Sequence, residues 1–152
     1  MGLATFEYGY FVRAPVEQVY AHLADPASYV GLSPLVISVR DVERSVDNGL
    51  IVFRYRSIEQ FHFFGVLRYD NRIRVTMTLT RPNAQIVSDV DSPLRVKVRF
   101  VFDLRAQDGG TWMQETVTAQ SPGIVQGYVV SEAKRVQQER ERILKARLEQ
   151  AG

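Results

Sequence analysis

Leu94, Val96, Val98, Phe100, Phe102 and Leu104 fall on one side of an alternation whose other side is Arg95, Lys97, Arg99 and Asp103, with Val101 the exception. Side chains of an extended strand point to opposite faces in turn. Residues 94–104 are therefore predicted to form a strand with one dry and one wet face, as in an antiparallel sheet covered on one side. Residues 66–80 repeat the pattern. Leu67, Tyr69, Ile73, Val75, Met77 and Leu79 share one phase, and Arg68, Asp70, Arg72, Arg74, Thr76, Thr78 and Thr80 share the other. Further strands are predicted at 5–13, 36–43, 50–64, 84–90 and 111–119. They are separated by turn signals at Asp47-Asn48-Gly49, Gly65, Arg81-Pro82-Asn83, Asp91-Ser92-Pro93 and Asp108-Gly109-Gly110, where Asn, Asp and Gly accept the backbone angles that tight hairpins need.

The period changes to a helical one twice. After Ala14-Pro15, the residues Val16, Val19, Tyr20 and Leu23 stand at i, i+3, i+4 and i+7, one face of a helix over 16–24. Asp25-Pro26 ends it, and a short second helix or turn is predicted at 27–32. The last segment is a helix of roughly 25 residues, against a usual length of about 11–12. Ser121 is its predicted N-cap and Pro122 its first position. Val125, Tyr128, Val129, Ala133, Val136, Ile143, Leu144 and Leu148 form its apolar stripe, and Lys134, Arg135, Glu139, Glu141, Arg142 and Lys145 lie off it. Nothing else is long enough to cover the dry face of the sheet. The fold class is α+β: a curved antiparallel sheet of about six to seven strands wrapped around a long C-terminal helix, with two short helices after the first strand.

This order of elements, with the segment FVRAPVEQVYAHLADPASYVGLSPLV at 11–36, resembles the START/Bet v 1-like (SRPBCC) superfamily, and within it the bacterial polyketide cyclase/dehydrase-like members. The carrying features are the strand running into Ala14-Pro15, the Val19-Tyr20 pair inside the first helix, its end at Leu23-Ala24-Asp25-Pro26, and a terminal helix just after Ser121-Pro122. The resemblance covers nearly the whole chain, as one domain over 1–152. It implies the helix-grip fold, with a cavity between sheet and terminal helix for a hydrophobic small molecule. Aromatase/cyclase members often carry a Trp-Pro pair after the first helix; here that stretch reads Ala27-Ser28-Tyr29-Val30-Gly31-Leu32.

Composition narrows the chemistry. Cysteine is absent and there are two histidines, His22 and His62, so thiolate catalysis and a Cys-ligated zinc are excluded and no His-based metal spacing is visible. No metal and no cofactor are expected. There is no Gly-x-Ser-x-Gly and no phosphate-binding glycine loop. No apolar run reaches the ~18 residues a membrane span needs, and no leader pattern opens the chain. A cytoplasmic protein is expected, as a monomer or homodimer.

Two carboxylates carry the inward phase of their strands, Glu59 with Ile51, Phe53 and Tyr55, and Glu115 with Met113 and Val117. In an apolar cavity either has a raised pKa and can serve as general acid or base, or pairs with an arginine. His62 and Tyr55 are the further catalytic candidates. Arg140 lies close to the helix stripe, where it pairs with such a carboxylate or, as the favoured expectation, sits in solvent. The residues expected to line a ligand cavity are Phe53, Tyr55, Phe61, Phe63, Tyr69, Ile73, Val75, Met77, Val98, Phe100, Met113, Val125, Tyr128 and Val129. Gly127 leaves the helix backbone bare, which would widen the cavity or allow close packing on the sheet. Arg54, Arg56, Arg68, Arg72, Arg74, Arg95, Lys97 and Arg99 share the wet phase. The aromatics occupy the opposite phase and net charge is only +2, so a solvated face is expected and nucleic acid is not. Carriage of a hydrophobic molecule (lipid, isoprenoid or aromatic metabolite) is the leading expectation. A cyclase/dehydratase-like enzyme acting through the inward carboxylates is the alternative, and a protein-interaction module the third.

Overall fold

A computed structural model describes residues 1–63, 67–93 and 95–149, excluding the side chains of His62 and Phe63. Phe64, Gly65, Val66 and Leu94, which the strand and turn assignments included, lie outside the described residues. Seven strands form one antiparallel sheet: β1 (Gly2–Val12), β2 (Val36–Asp47), β3 (Leu50–Phe63), β4 (Leu67–Arg81), β5 (Gln85–Ser92), β6 (Val96–Gln107) and β7 (Gly110–Ser121). Their spatial order is β1-β7-β6-β5-β4-β3-β2. The six later strands are thus a continuous meander. The first strand joins its far end by pairing with the last, Tyr8 opposite Glu115 and Tyr10 opposite Met113.

Two hairpins turn where the sequence predicts. Asn48 and Gly49 have φ of 52° and 80°, and Asp108 and Gly109 have 49° and 78°, the left-handed angles of two-residue hairpin loops. Between β1 and β2 the chain forms α1 (Val16–Leu23) and then only a single 3-10 turn, Pro26–Tyr29, in place of a second helix. Asp25 caps this turn by accepting from the Ala27 amide at 3.0 Å.

The long helix α2 runs Gly123–Leu148. Its N-cap is Pro122 and carries no side-chain cap. Ser121 instead closes β7, fully buried, and its hydroxyl meets the Gln126 side chain. A residue committed to the sheet ladder is not free to cap the helix that follows. No helix among the described residues is long and apolar enough to cross a membrane.

The concave face of the sheet is covered in two different ways. At one end, α1 and the C-terminal half of α2 fill it with a solid core that includes Val12, Val19, Leu23, Met77, Ile86, Phe102, Met113 and Leu144. At the other end the N-terminal half of α2 bridges the sheet without filling the space beneath.

Two glycines show where backbone room matters. A Cβ on Gly110 would lie 2.6 Å from the Val12 carbonyl oxygen and 2.5 Å from the Phe11 ring, whereas one on Gly127 meets nothing within 4 Å. Gly127 is exposed and does not line the cavity, so it neither widens the pocket nor packs closely on the sheet, the two roles expected of it. Gly110→Ala is expected to destabilise by about 1–3 kcal/mol through overpacking. Gly127→Ala is expected to stabilise by about 0.5–1 kcal/mol through helix propensity. Urea denaturation of both variants checks the pair; equal effects would contradict this placement of the two glycines.

Candidate functional site

Beneath the first half of α2 lies a cavity of about 490 Å³. Alternation along each strand builds its walls. β3 contributes Tyr55, Ser57, Glu59 and Phe61, and β4 contributes Tyr69, Asn71, Ile73 and Val75. β5 adds Ser88, Val90 and Ser92, and β6 adds Val96, Val98, Phe100 and Phe102. The roof is Ile124, Val125, Tyr128, Val129, Glu132, Ala133, Val136 and Arg140 of α2, and Tyr29, Ser33, Leu35 and Val36 also line it. At the rim Ile124 is 96% exposed, with Tyr69 and Tyr128 each about half exposed. The rings of Phe61 and Tyr128 approach to 6.3 Å between centroids and join sheet to helix there.

Ten of the residues expected on the cavity wall line it: Tyr55, Phe61, Tyr69, Ile73, Val75, Val98, Phe100, Val125, Tyr128 and Val129. Met77, Met113 and Phe53 do not. Met77 and Met113 are fully buried in the solid core, and Phe53 packs against it. All three have the right phase but stand at the level of the sheet that α1 and the second half of α2 already cover. Alternation assigns a face; it does not assign a height along the strand. The side chains of Phe63 and His62 lie outside the described residues. His22, on α1, sits with its Nε2 3.1 Å from the Arg147 guanidinium, and burial and that cation both lower its pKa.

The two inward carboxylates prove different. Glu59 faces the cavity from β3, directly opposite Asn71 of β4. Burial raises its pKa to about 7; the Asn71 side-chain hydrogen bond opposes the rise, and the Glu132 carboxylate on α2 adds to it. Asn71 Nδ2 donates to Ser92 Oγ at 2.9 Å, so Glu59, Asn71 and Ser92 form a polar chain across three strands in a mainly apolar wall. A carboxyl poised near neutrality can hold or release a proton at physiological pH. Tyr55, on the same strand, is buried and its hydroxyl makes no hydrogen bond to a described residue, which leaves it available to a cavity occupant.

Glu115 is locked. It is fully buried on β7, accepts from the Tyr10 hydroxyl at 2.6 Å, and is bonded by Arg140 Nη1. Burial pushes its carboxyl up, while the Arg140 cation and the Tyr10 hydroxyl pull the other way. A guanidinium keeps its proton throughout the physiological range, so the anionic form of Glu115 is what balances it. Glu115 does not line the cavity.

Arg140 corrects the sequence expectation most clearly: it is 2% exposed rather than solvated. Its Nη2 reaches Ser33 Oγ at 3.3 Å, and its guanidinium lies 5.3 Å from the Phe100 ring centre and 5.1 Å from that of Phe102, within cation–π range. Its Nε has no partner among the described residues. Arg140 marks the level where solid core gives way to cavity. The overlooked signal is its spacing, four residues after Val136 and four before Leu144, which puts it on the buried stripe. Gln137, also buried, was missed for the same reason.

No family model matches the sequence, and no curated protein matches it. Solved structures do match. The Zhui aromatase/cyclase from Streptomyces sp. R1128 superposes with a TM-score of 0.75 at 16% identity, over 96% of this chain and 93% of that one. A START superfamily protein from Mycobacterium smegmatis gives 0.70 at 16% identity over 99% and 100% of the two chains. Ara h 8.0201 gives 0.61 at 19% identity over 95% and 99%. The gripping helix, the sheet order and these superpositions together show that the chain has the helix-grip fold of these aromatase/cyclase and START superfamily structures.

Proposed function

We propose that this protein binds an apolar small molecule between its sheet and its terminal helix. The observation that carries the reading is the cavity of about 490 Å³ in a domain whose interior would otherwise be close-packed. Its volume suits a small-molecule ligand, and its lining follows the usual rule of apolar walls with a few placed polar groups. Those groups include the Tyr55 hydroxyl, the Glu59 carboxyl and Arg140. The ligand is therefore a largely hydrocarbon or aromatic molecule carrying at least one hydroxyl or carbonyl, of the lipid, isoprenoid or aromatic polyketide kind. No cofactor is invoked.

Filling the cavity tests this. Val98→Trp is expected to abolish uptake of an anilinonaphthalene fluorescent probe while leaving the fold intact by circular dichroism. Native mass spectrometry of protein purified from its own host is expected to show a bound mass that the variant lacks. A wild-type protein that takes up no apolar probe and retains no mass would end the proposal.

A second reading, an enzyme of the cyclase/dehydratase kind, is favoured by one observation: Glu59 presents a carboxyl titrating at about 7 to the cavity. In that reading Glu59 accepts or returns the proton and Tyr55 hydrogen-bonds a substrate oxygen, while the walls hold the chain folded for ring closure. Glu115 takes no part, because Arg140 and Tyr10 already occupy it.

A further inference from the structure

The outer face of the sheet holds a second concavity, of about 510 Å³, whose lining includes Arg40, Arg56, Arg72 and Arg74 together with Asp41, Ile58 and Asp91. Strand register makes the arrangement specific. Arg40 of β2 is directly opposite Arg56 of β3, and Arg56 is directly opposite Arg74 of β4. Arg72 stands two residues along β4, opposite Ile58. Like charges placed directly across adjacent strands repel, an arrangement that sheets normally avoid.

Elsewhere on this face three arginines are neutralised. Arg54 pairs with Asp47 at 2.7 Å, Arg99 with Asp89 at 2.7 Å, and Arg68 with Asp70 at 3.8 Å. The four arginines of the groove form no ion pair or hydrogen bond with any described residue. All four are exposed, so none is held in place by burial.

We propose that this groove is a binding site for a diphosphate group. Guanidinium forks match phosphate oxygens two at a time. Neighbouring strands lie about 4.8 Å apart, so the row of three spans about 10 Å, wider than one phosphate tetrahedron. Asp91 follows Arg74 across the next strand pair, and Asp41 follows Arg40 at the bulge of β2, where its φ is 56°. An acidic group therefore closes each end of the row. That bracketing admits a compact polyanion and repels a long one, and no aromatic residue lines the groove to stack a base. Ser57, Ile73, Ser92 and Pro93 line both this groove and the apolar cavity, so the two sites stand back to back.

Isothermal titration with inorganic diphosphate, farnesyl diphosphate and farnesol separates the possible sources. Saturable binding of inorganic diphosphate is expected, weakening as salt is raised. The variant Arg56→Gln/Arg74→Gln should lose it by about tenfold or more. The same variant should unfold at a higher temperature than wild type without ligand, because the repulsion is gone, and should show no further rise with diphosphate. If farnesyl diphosphate binds as diphosphate does and leaves the apolar probe in place, the groove takes a free anion. If it binds much more tightly and displaces the probe, the groove holds the head of the cavity's own ligand. Both results support the site. Absence of diphosphate binding, binding that survives in the double variant, or tighter binding of a single-stranded oligonucleotide than of diphosphate would each overturn it. None of these three bears on the cavity, whose probe uptake is read separately.

Discussion

Arg140→Met is expected to cost about 3–5 kcal/mol of folding stability, the penalty for leaving one member of a buried ion pair alone. Glu115 would then be a fully buried carboxyl whose remaining partner is the Tyr10 hydroxyl. Without the cation, burial alone governs its titration, and its folded-state pKa climbs further above the unfolded value. A raised carboxyl destabilises the fold when ionised and not when protonated. The loss should therefore be largest at neutral and alkaline pH and shrink as the pH falls towards the unfolded value. Guanidinium denaturation across that range measures it. The triple variant Tyr10→Phe/Glu115→Leu/Arg140→Met removes the ion pair and the Tyr10 hydroxyl together, leaving only the Ser33 hydroxyl of the cluster, and is expected within about 1–2 kcal/mol of wild type, because well-packed apolar replacements of buried ion pairs are often neutral or better. A single-variant loss below about 1 kcal/mol, the range of exposed pairs, would mean that the pair is hydrated.

The second large effect belongs to Glu59. In the unfolded chain its carboxyl titrates near the ordinary 4.5; in the folded chain it titrates at about 7. The folded state holds the proton more tightly, so stability falls as the pH rises from about 4.5 to about 7 and then levels off. Glu59→Gln removes this dependence. At pH about 8 the variant should be more stable than wild type by about 2–3 kcal/mol, and at pH about 4 the two should be nearly equal. A difference that does not change with pH would show that Glu59 titrates normally and would remove the observation favouring the enzyme reading. If that reading holds, the same substitution abolishes turnover while the apolar probe still binds.

Much of this arrangement was legible in the alternation of residues. The phase shared by Tyr55, Glu59 and Phe61 put them on the concave face, and the runs through Val75 and Val98 likewise reported their orientation, since a strand's period of two leaves little choice. Position along the strand was not legible. Met77 and Met113 have the same phase as the cavity residues but sit under α1 and the second half of α2, and only tertiary packing decides that. Arg140 was hidden for another reason. An apolar stripe is drawn by leaving charges out, so the spacing of Arg140 from Val136 and Leu144 does not count towards it, and its partner lies 25 residues away. The basic row escaped similarly: sequence showed that Arg56 and Arg74 share a face, but pairing register was needed to set them side by side with Arg40. Ser121 carried a strong helix-start signal that its place in β7 overrode.

Because α2 rests on solid core along only part of its length, adhesion and the roofing of a void fall to separate stretches of one continuous rod. Residues around Leu144 and Leu148 keep the domain together, and residues around Val125 and Val129 face the cavity. Substitutions in the second set can reshape that void without loosening the first, so one scaffold tolerates differing interiors. That is consistent with a backbone shared at 16% identity.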